Sequence, residues 1–523
     1  MNGLALAWRT PWSTPGLRLA FGLALGLHLI WAACLGLSPD EAHYALYGEH
    51  LALSYHDHPP LVGWLQALAL ALGSSDLILR VWPLVLWWLT GGLLLSFNDL
   101  VFPRVSKTHW LGLRVDAWLW LGSGLPHLMG LALVPDSLLM PLTLGLMHLV
   151  WRLADPQAVQ RTGLWLSLGV LLGLAGLSKY TAVLLAVGVV VCLHLAHGIK
   201  LWRFKGWWVA LAIAAKMVSV VFIWNALNDW ASFRYQLAHA QGGAVWNPVV
   251  AARYGLVVWL GMGVVWPLVG WAKHKANVAN AVSAASMHPT EPASARQGML
   301  TPAWVCVAFA GPLALLLINA AGRGSALPHW AVPAALALLP WVSHCLARGS
   351  GPLRAWVGWA LVAQVLGVLA LAAWMVAGGG PSESEISRQR APGERVGMAA
   401  MNPVADLHGW ADAAAHASRL AREQGLSGLA VTNWSLASRL AWYARPLSVR
   451  VVDDHGDQFN IWFGRFAKGD SVLWVDWSQL TQAPPVGPDR FASCSPLGQL
   501  DIVHWGRTLS HFHFLRCENW QGP

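Results

Sequence analysis

Charged side chains are scarce in this sequence. Of its 523 residues, 11% are Asp, Glu, Lys or Arg and 56% are hydrophobic. In soluble domains, about a quarter of the residues are charged. A water-soluble globule of this length could not cover its surface with so few charges, and a disordered chain would be less apolar. The composition therefore excludes a soluble enzyme and a disordered protein, and it indicates a membrane protein.

Cysteines and basic runs are also few. The six Cys residues are too scattered to indicate a disulfide framework or a zinc array. The net charge of +9 comes without a Lys- or Arg-rich run, so binding to nucleic acid is not predicted. Cys494 and Cys517 could pair in an oxidising compartment, although the sequence does not fix the distance between their Cα atoms.

Long apolar runs are what the sequence has in abundance. A helix needs about 20 apolar residues to cross the hydrocarbon core of a bilayer. Such runs predict an all-α polytopic membrane domain of about 11 helices within residues 1–377. The predicted spans are 18–37, 76–97, 117–134, 137–152, 162–178, 181–197, 206–224, 253–271, 301–320, 329–346 and 355–376.

The basic residues predict an orientation for these spans. One set of alternate connections carries Arg9, Arg18, Arg104, Lys107, Arg114, Arg152, Arg161, Lys200, Arg203, Lys205, Lys273, Lys275, Arg296, Arg348 and Arg354. The opposite set carries only Arg80, Lys179, Arg234, Arg253 and Arg323. Because cytoplasmic loops are enriched in Lys and Arg, the first set and the N-terminus are expected in the cytoplasm. An odd number of spans then places the C-terminal region outside.

The composition changes after residue 377. The run Gly378-Gly379-Gly380-Pro381 predicts a linker over 378–399. Residues 400–523 alternate between helical and strand patterns, which predicts a small exported α/β domain. The expected helices are 406–425 and 435–443, and the expected strands are 429–432, 447–452 and 471–475.

The first external loop, 38–75, differs from the other connections because it is long and acidic. After Ser38-Pro39, Asp40 stands where a helix would begin and where a carboxylate meets unpaired N–H groups. The apolar spacing that follows, at Tyr44, Leu46, Tyr47, Leu51 and Leu53, predicts an amphipathic helix on the membrane surface.

Two kinds of chemistry fit this loop, beside the alternative that Asp40 only caps its helix. Capping does not account for the adjacent Glu41 or for the stretch from His56 to Pro60. A carboxylate could act as a general base toward an acceptor hydroxyl. Alternatively, the loop could bind a divalent metal ion, for which His56, His58 and Asp40 are the main candidates.

A family resemblance rests on several motifs. The first loop reads Asp40-Glu41-Ala42-His43-Tyr44 and then Tyr55-His56-Asp57-His58-Pro59-Pro60-Leu61. It resembles the first periplasmic loop of GT-C class membrane glycosyltransferases, above all glycosyltransferase family 39, which includes protein O-mannosyltransferases and the lipid A aminoarabinose transferase. Other stretches of the chain that also resemble this family are Val134–Ser137, Gly176–Thr181, Ser232–His239, His329–Ala334 and Leu440–Phe463.

The resemblance implies a site and a reaction. A sugar would pass from a polyprenyl-phosphate donor to a lipid or glycan acceptor, such as lipid A or lipopolysaccharide, or to a protein, at the periplasmic face of a bacterial inner membrane. Asp40 matches the essential acid of the family and Glu41 its partner. Asp57, a third candidate catalytic residue, stands where many members have Glu. His58 stands where the aminoarabinose enzymes have Lys, so the sugar need not be aminoarabinose.

Cations near the external side are candidates for binding the phosphate of the donor, because negative charge grows on the leaving group. Lys179 is the strongest of them, although it could also be a snorkelling interfacial lysine. Asp136 could either cap a helix or act in the site. The expected substrate-binding residues are Tyr55, His58, Asp136, Lys179, Arg234, His239, Arg253, Arg323 and His329.

Two rival functions remain compatible with the sequence. A transporter or a flippase for lipid-linked sugars would use charges within the membrane as an ion path, without needing the acidic first loop. A scaffold would use only the exported C-terminal domain to bind a partner. The sugar, the acceptor and the inverting or retaining outcome are open at this point.

Overall fold

The computed structural model describes residues 14–241, 245–263, 300–349, 351–385, 402–452, 456–479 and 488–522. The end of the predicted span 253–271 and most of the predicted linker 378–399 lie outside these residues. The described chain forms two compact units. The first comprises residues up to 28, 53–62 and 81–369, and the second comprises 29–52, 63–80 and the chain from 370 onward.

The first unit is helical, as the apolar runs predict. Its main helices are Val81–Val101, Val115–Gly122, Gly124–Leu131, Pro135–Leu153, Thr162–Ser178, Val183–His197, Lys205–Leu227, Ala231–Gln241, Pro248–Met262, Pro302–Gly322 and Val332–Ala347. Two further helices, Pro15–Cys34 and Gly351–Val376, begin in this unit and end in the second one. A short hairpin joins strands β1 (His109–Trp110) and β2 (Leu113–Arg114).

Within the described residues, seven helices are long and apolar enough to cross a membrane, or eight if one bent pair counts as a span. This count over the described residues is lower than the eleven spans that the sequence predicts, and the described part of each predicted segment contains helix. The clearest difference is 117–134, which is divided at Ser123, whose backbone is extended. Pro135 then keeps Val134 extended, so that Gly124–Leu131 and Pro135–Leu153 meet at 116°.

The second unit contains an α/β domain built on a five-stranded sheet. Its strands are β3 (Gly428–Val431), β4 (Ser448–Val451), β5 (Val472–Trp477), β6 (Phe491–His504) and β7 (Arg507–Trp520), in the order β4-β3-β5-β7-β6. β3 pairs in parallel with β4 and β5, whereas β7 is antiparallel to β5 and β6. Helices Trp410–Glu423, Trp434–Tyr443 and Gln458–Phe463 complete it. The predicted fold class, a helical membrane domain followed by a small α/β domain, is confirmed.

The sequence prediction of this domain succeeded for its first half and missed the second. Every predicted helix and strand between 406 and 475 is present, but β6 and β7 were not predicted. Cys494 and Cys517 face each other across these two strands and form a disulfide, with their Cα atoms 4.1 Å apart. The sequence alone left this pairing open, and the register of the two unpredicted strands places the two cysteines opposite each other.

The helix of the first loop, Pro39–Glu49, is present but is not a surface helix. Eight consecutive residues, Glu41 to Gly48, are buried, and the helix packs against Trp434–Tyr443 in the second unit. A Cβ on Gly48 would lie 2.8 Å from the backbone nitrogen of Ala67, so glycine is required for the approach of helix Leu61–Leu70. The predicted position on the membrane surface is wrong because both faces of the helix are covered by protein.

Candidate functional site

The acidic helix of the first loop begins with a capping box. Ser38 is the N-cap residue, and its hydroxyl accepts a hydrogen bond from the backbone N–H of Glu41. The Glu41 carboxylate in turn accepts hydrogen bonds from the backbone N–H and the hydroxyl of Ser38, both at 3.0 Å. Ser38 and Glu41 therefore cap the helix, and the half-buried Asp40 in its first turn is not the capping residue.

Arg80 holds this helix start in place. Its Nε lies 2.7 Å from Oε1 of Glu41 and its Nη2 lies 3.1 Å from Oε2. The other N–H groups donate to the carbonyls of Ala32, Leu35 and Gly36 at the end of helix Pro15–Cys34. All five donors of a guanidinium are thereby used, and only 1% of Arg80 is exposed.

This network changes the interpretation of Glu41, which the sequence presented as a candidate catalytic residue beside Asp40. Both of its carboxylate oxygens are bound by Arg80 and Ser38, and 4% of the residue is exposed. Both oxygens of this carboxylate are held by protein donors, which fixes the start of the helix that carries Asp40. The sequence identifies Arg80 only as one of the cations on the external side. The feature of the sequence that marks Arg80 is that it is a single charged residue in an apolar stretch.

A second buried guanidinium lies near Asp40. Arg439 forms an ion pair with Asp406 and stacks on Trp410, with 3.6 Å between the guanidinium carbon and the ring centre. Burial lowers the pKa of Arg439, while the negative charges of Asp406 and Asp40 oppose the shift. Asp40 is thus among the negative charges that act on Arg439.

Tyr443 connects the same helix start to Asp76. Its hydroxyl donates to the Asp76 carboxylate at 2.6 Å and accepts from the backbone N–H of Leu37 at 3.1 Å. Burial raises the pKa of Tyr443 far above its usual range, and the Asp76 charge adds to the shift. The phenol therefore stays protonated and acts as a fixed donor.

The first unit contains a separate charged cluster of Asp136, Lys179 and His329, each of which the sequence offers as a candidate substrate-binding residue. Lys179 Nζ lies 2.6 Å from Oδ2 of Asp136, and His329 Nε2 lies 3.9 Å from the same oxygen. Lys179 also lies over the ring of Trp330, 4.7 Å from its centre. With 7% of Lys179 and 2% of Asp136 exposed, the lysine is not a snorkelling interfacial residue.

The ends of helices bring these side chains together. Lys179 follows the end of helix Thr162–Ser178 in an extended conformation, and Asp136 lies in the first turn of Pro135–Leu153 directly after the bend. His329 belongs to the short 3₁₀ segment Pro328–Ala331. Charged groups within a membrane protein are costly to bury and are usually functional, so this cluster is the best candidate for ligand binding in the first unit.

The second half of the first loop also lies in this unit. The backbone carbonyl of Asp57 accepts a hydrogen bond of 2.6 Å from Gln236, and the ring of His56 packs 4.8 Å from that of Tyr235. Helix Ala231–Gln241 therefore holds the loop in place. Burial raises the pKa of Tyr235, and the Asp57 charge adds to the shift, so the half-buried Asp57 carboxylate is near that phenol.

The remaining candidates are dispersed. Tyr55 is fully buried and its backbone N–H donates to the carbonyl of His58, which makes it a residue that shapes the loop. Arg234 and Arg253 are exposed, and Arg323 is half-buried after helix Pro302–Gly322. The side chain of His239 lies outside the described residues.

The metal interpretation of the first loop has little geometric basis. In the parts of the chain that the structure describes, no three His, Cys, Asp or Glu side chains are arranged to hold a metal ion. The candidate ligands His56, His58 and Asp40 therefore do not form a recognisable metal site there.

Comparisons with known proteins bear on this arrangement. A family model described as dolichyl-phosphate-mannose-protein mannosyltransferase matches residues 57–224, which include Asp57, Asp136 and Lys179. The lipid A galacturonosyltransferase RgtD of Rhizobium johnstonii is 27% identical over 239 residues, 45% of this chain and 47% of the relative. The chain thus spans about half the length of that curated relative.

A solved structure extends the likeness to the whole fold. The crystal structure of ArnT from Cupriavidus metallidurans in the apo state matches 96% of this chain and 98% of its own, with a TM-score of 0.59 and 15% sequence identity. At this identity the match establishes a common fold. The family model, the relative and the fold together confirm the resemblance to GT-C membrane glycosyltransferases.

Proposed function

We propose that the chain is an integral-membrane glycosyltransferase that moves a sugar from a polyprenyl-phosphate donor to an acceptor outside the cytoplasm. The observation that carries this proposal is the start of helix Pro39–Glu49. There Glu41 binds Arg80 and Ser38, and the adjacent Asp40 lies half-buried in the first turn of the helix. A transporter or a scaffold has no need of such an arrangement.

The proposed reaction gives Asp40 the role of general base. An acceptor hydroxyl attacks the anomeric carbon of the sugar, and its proton passes to the Asp40 carboxylate. The bond between that carbon and the phosphate oxygen breaks, and its electron pair leaves with the polyprenyl phosphate. Asp57 is the second candidate acid, and His58 is a candidate contact for the donor or acceptor.

Lys179 is proposed to stabilise the phosphate that leaves. An ammonium has three N–H donors, and the contact with Asp136 uses one of them. A cation that is already oriented and largely dehydrated stabilises developing negative charge better than a solvated one. Asp136 and Trp330 would then orient the lysine, and His329 would add a further N–H group.

Lipid A is the proposed acceptor, because the curated relative is named as a lipid A galacturonosyltransferase. The proposed location is the bacterial inner membrane, with the N-terminus in the cytoplasm and the C-terminal domain in the periplasm. The distribution of Lys and Arg supports this orientation. The Cys494–Cys517 disulfide supports it independently, since such bonds persist in oxidising compartments.

A transfer assay tests the proposal. Purified protein is mixed with radiolabelled polyprenyl-phosphate sugar and lipid A, and label in the acceptor is counted. Asp40→Asn is expected to reduce transfer by roughly 10²- to 10⁴-fold. Glu49→Gln is the matched control, because Glu49 is a carboxylate at the other end of the same helix and pairs with Arg445. Equal loss in both variants, or an acceptor that gains no label, would reject the proposal.

A further inference from the structure

The turn between β6 and β7 exposes a large aromatic residue. Trp505 and Gly506 form the turn, both with positive φ angles, of 47° and 76°. Two-residue hairpin turns of this kind favour Asn, Asp or Gly, since a bulky residue is strained there. Trp505 is nevertheless 74% exposed, and Val503 just before the turn is 59% exposed. A water-facing turn gains nothing from this choice of residues.

The turn is attached to the end of a membrane-spanning helix. Nε2 of His504 donates to the carbonyl of Val376 at 2.8 Å, and Nε2 of His408 donates to that of Met375 at 3.0 Å. These carbonyls belong to the last turn of helix Gly351–Val376, which has the length and hydropathy of a span. Two imidazoles thus satisfy acceptors that the helix itself cannot.

Residues 378–380, which follow the helix directly, pack closely against the hairpin. Gly378 has a φ of +65°, and a Cβ there would lie 2.9 Å from Leu509 and 3.0 Å from His504. Arg507, on the other side of the turn, donates to the carbonyl of Gly380 at 2.7 Å. The hairpin tip is therefore fixed to the helix end, although 378–380 had the composition of a linker.

These contacts place the tip at the level of the membrane boundary. The last carbonyls of a spanning helix lie where hydrocarbon gives way to headgroups. Trp374, in the same last turn of the helix, is 40% exposed, as expected of a residue in an interfacial aromatic belt. The tip adds Trp505, His504 and Arg507, a combination of aromatic and basic side chains that suits the same layer.

We propose that the β6–β7 turn is a membrane-docking surface, in which Trp505 and Val503 enter the headgroup layer of the bilayer beside the end of helix Gly351–Val376. The bilayer is the expected partner of this surface, because hydrogen bonds hold the exposed apolar residues of the turn beside the end of a membrane-spanning helix. The docking would hold the α/β domain at a fixed height above the membrane. It is independent of the proposed transferase activity.

Site-directed labelling tests the proposal without an activity measurement. The four free cysteines, Cys34, Cys192, Cys306 and Cys345, are replaced by Ser or Ala, and the disulfide is left intact. Single cysteines are then introduced as Trp505→Cys, Val503→Cys and, as the control, Ser495→Cys. Ser495 is an exposed residue of the same strand, ten positions from the turn and thus about 30 Å away.

Each variant is spin-labelled and reconstituted in nanodiscs of phosphatidylethanolamine and phosphatidylglycerol. Labels at 505 and 503 are expected to collide several-fold more with oxygen, which concentrates in lipid, than with a water-soluble nickel chelate. The label at 495 is expected to show the reverse preference. If 505 and 503 are as accessible to the chelate as 495, the proposal is wrong. Should Trp505→Cys fail to fold, the comparison of 503 with 495 decides alone.

Discussion

Arg80 and Glu41 form a bidentate ion pair, with Nε 2.7 Å from Oε1 and Nη2 3.1 Å from Oε2, that joins two helix ends. The guanidinium caps the end of helix Pro15–Cys34 and also holds the capping box of Pro39–Glu49. Asp40 is adjacent to Glu41 in the chain, so its position depends on this pair. The candidate catalytic carboxylate is thus supported by a residue 40 positions away in the sequence.

Arg80→Gln is expected to destabilise the protein by about 3–5 kcal/mol, because removing one partner of a buried pair leaves the other charge unpaired. Transfer by the folded fraction should fall through kcat, with KM for the donor little changed, since Asp40 is displaced while the donor contacts remain. Thermal unfolding and steady-state kinetics measure the two effects. A purely structural role would lower the melting temperature and leave kcat of the folded fraction intact.

Lys179 and Asp136 are expected to act as a unit. Lys179→Met should reduce transfer on the order of 10²-fold, as loss of a charged stabiliser of the leaving group does. Asp136→Asn should lower activity less, because the lysine keeps its charge and loses only its orientation. The double variant should be no worse than Lys179→Met alone. Additive losses in this double-mutant cycle would contradict the proposed coupling.

The membrane helices and the first half of the α/β domain could be predicted because their patterns are local. Apolar runs mark the spans, and alternating helix and strand patterns mark the chain up to Trp477. β6 could not be predicted in the same way, since it contains Pro496 and Gly498 and is mostly exposed. It lies at the edge of the sheet and has an irregular register at these two residues, where proline is tolerated.

The sequence supplies the residues of the cluster in the first unit but not their contacts, and it does not distinguish the two adjacent acids of the first loop. Asp136, Lys179 and His329 come from three separate motifs, and the structure brings them together. Glu41 looked equivalent to Asp40 because the two acids are adjacent. Only the long-range contact with Arg80 distinguishes them, and no local pattern in the sequence reports such a contact.

The disulfide provides a test of the proposed export. If the C-terminal domain faces an oxidising compartment, Cys494 and Cys517 should resist alkylation until a reductant is added, whereas the exposed Cys34 should react at once under denaturing conditions. Removing the bond through Cys494→Ser and Cys517→Ser should cost about 2–4 kcal/mol of stability. Mass spectrometry of alkylated peptides from the native membrane makes the measurement. Immediate alkylation of both cysteines would contradict export of this domain.

Acidification is expected to weaken the attachment of the α/β domain to the end of helix Gly351–Val376. Burial lowers the pKa of His408 from its ordinary value of 6.5; the Met375 carbonyl opposes the shift and the neighbouring His504 adds to it. Below the ordinary value the unfolded chain binds more protons than the folded one, so stability falls as the pH falls. Above it, His408 is neutral in both states and contributes no pH dependence.

Thermal unfolding of the full chain at about pH 7.5 and about pH 5.5 measures this effect, since the interval brackets the titration of histidine. His408→Gln retains an N–H donor for the Met375 carbonyl but does not titrate, so the loss of melting temperature on acidification should be smaller in that variant. An identical loss in the two proteins would show that His408 does not contribute.

Mass analysis of the acceptor tests the central claim most directly. Purified protein in liposomes is given unlabelled polyprenyl-phosphate sugar and lipid A, and the masses of both lipids are then measured by mass spectrometry. A glycosyltransferase should raise the mass of lipid A by one sugar residue and release polyprenyl phosphate in equal amount, and Asp40→Asn should do neither. Lipid A of unchanged mass beside an intact donor that has crossed the bilayer would contradict the assignment and favour a flippase.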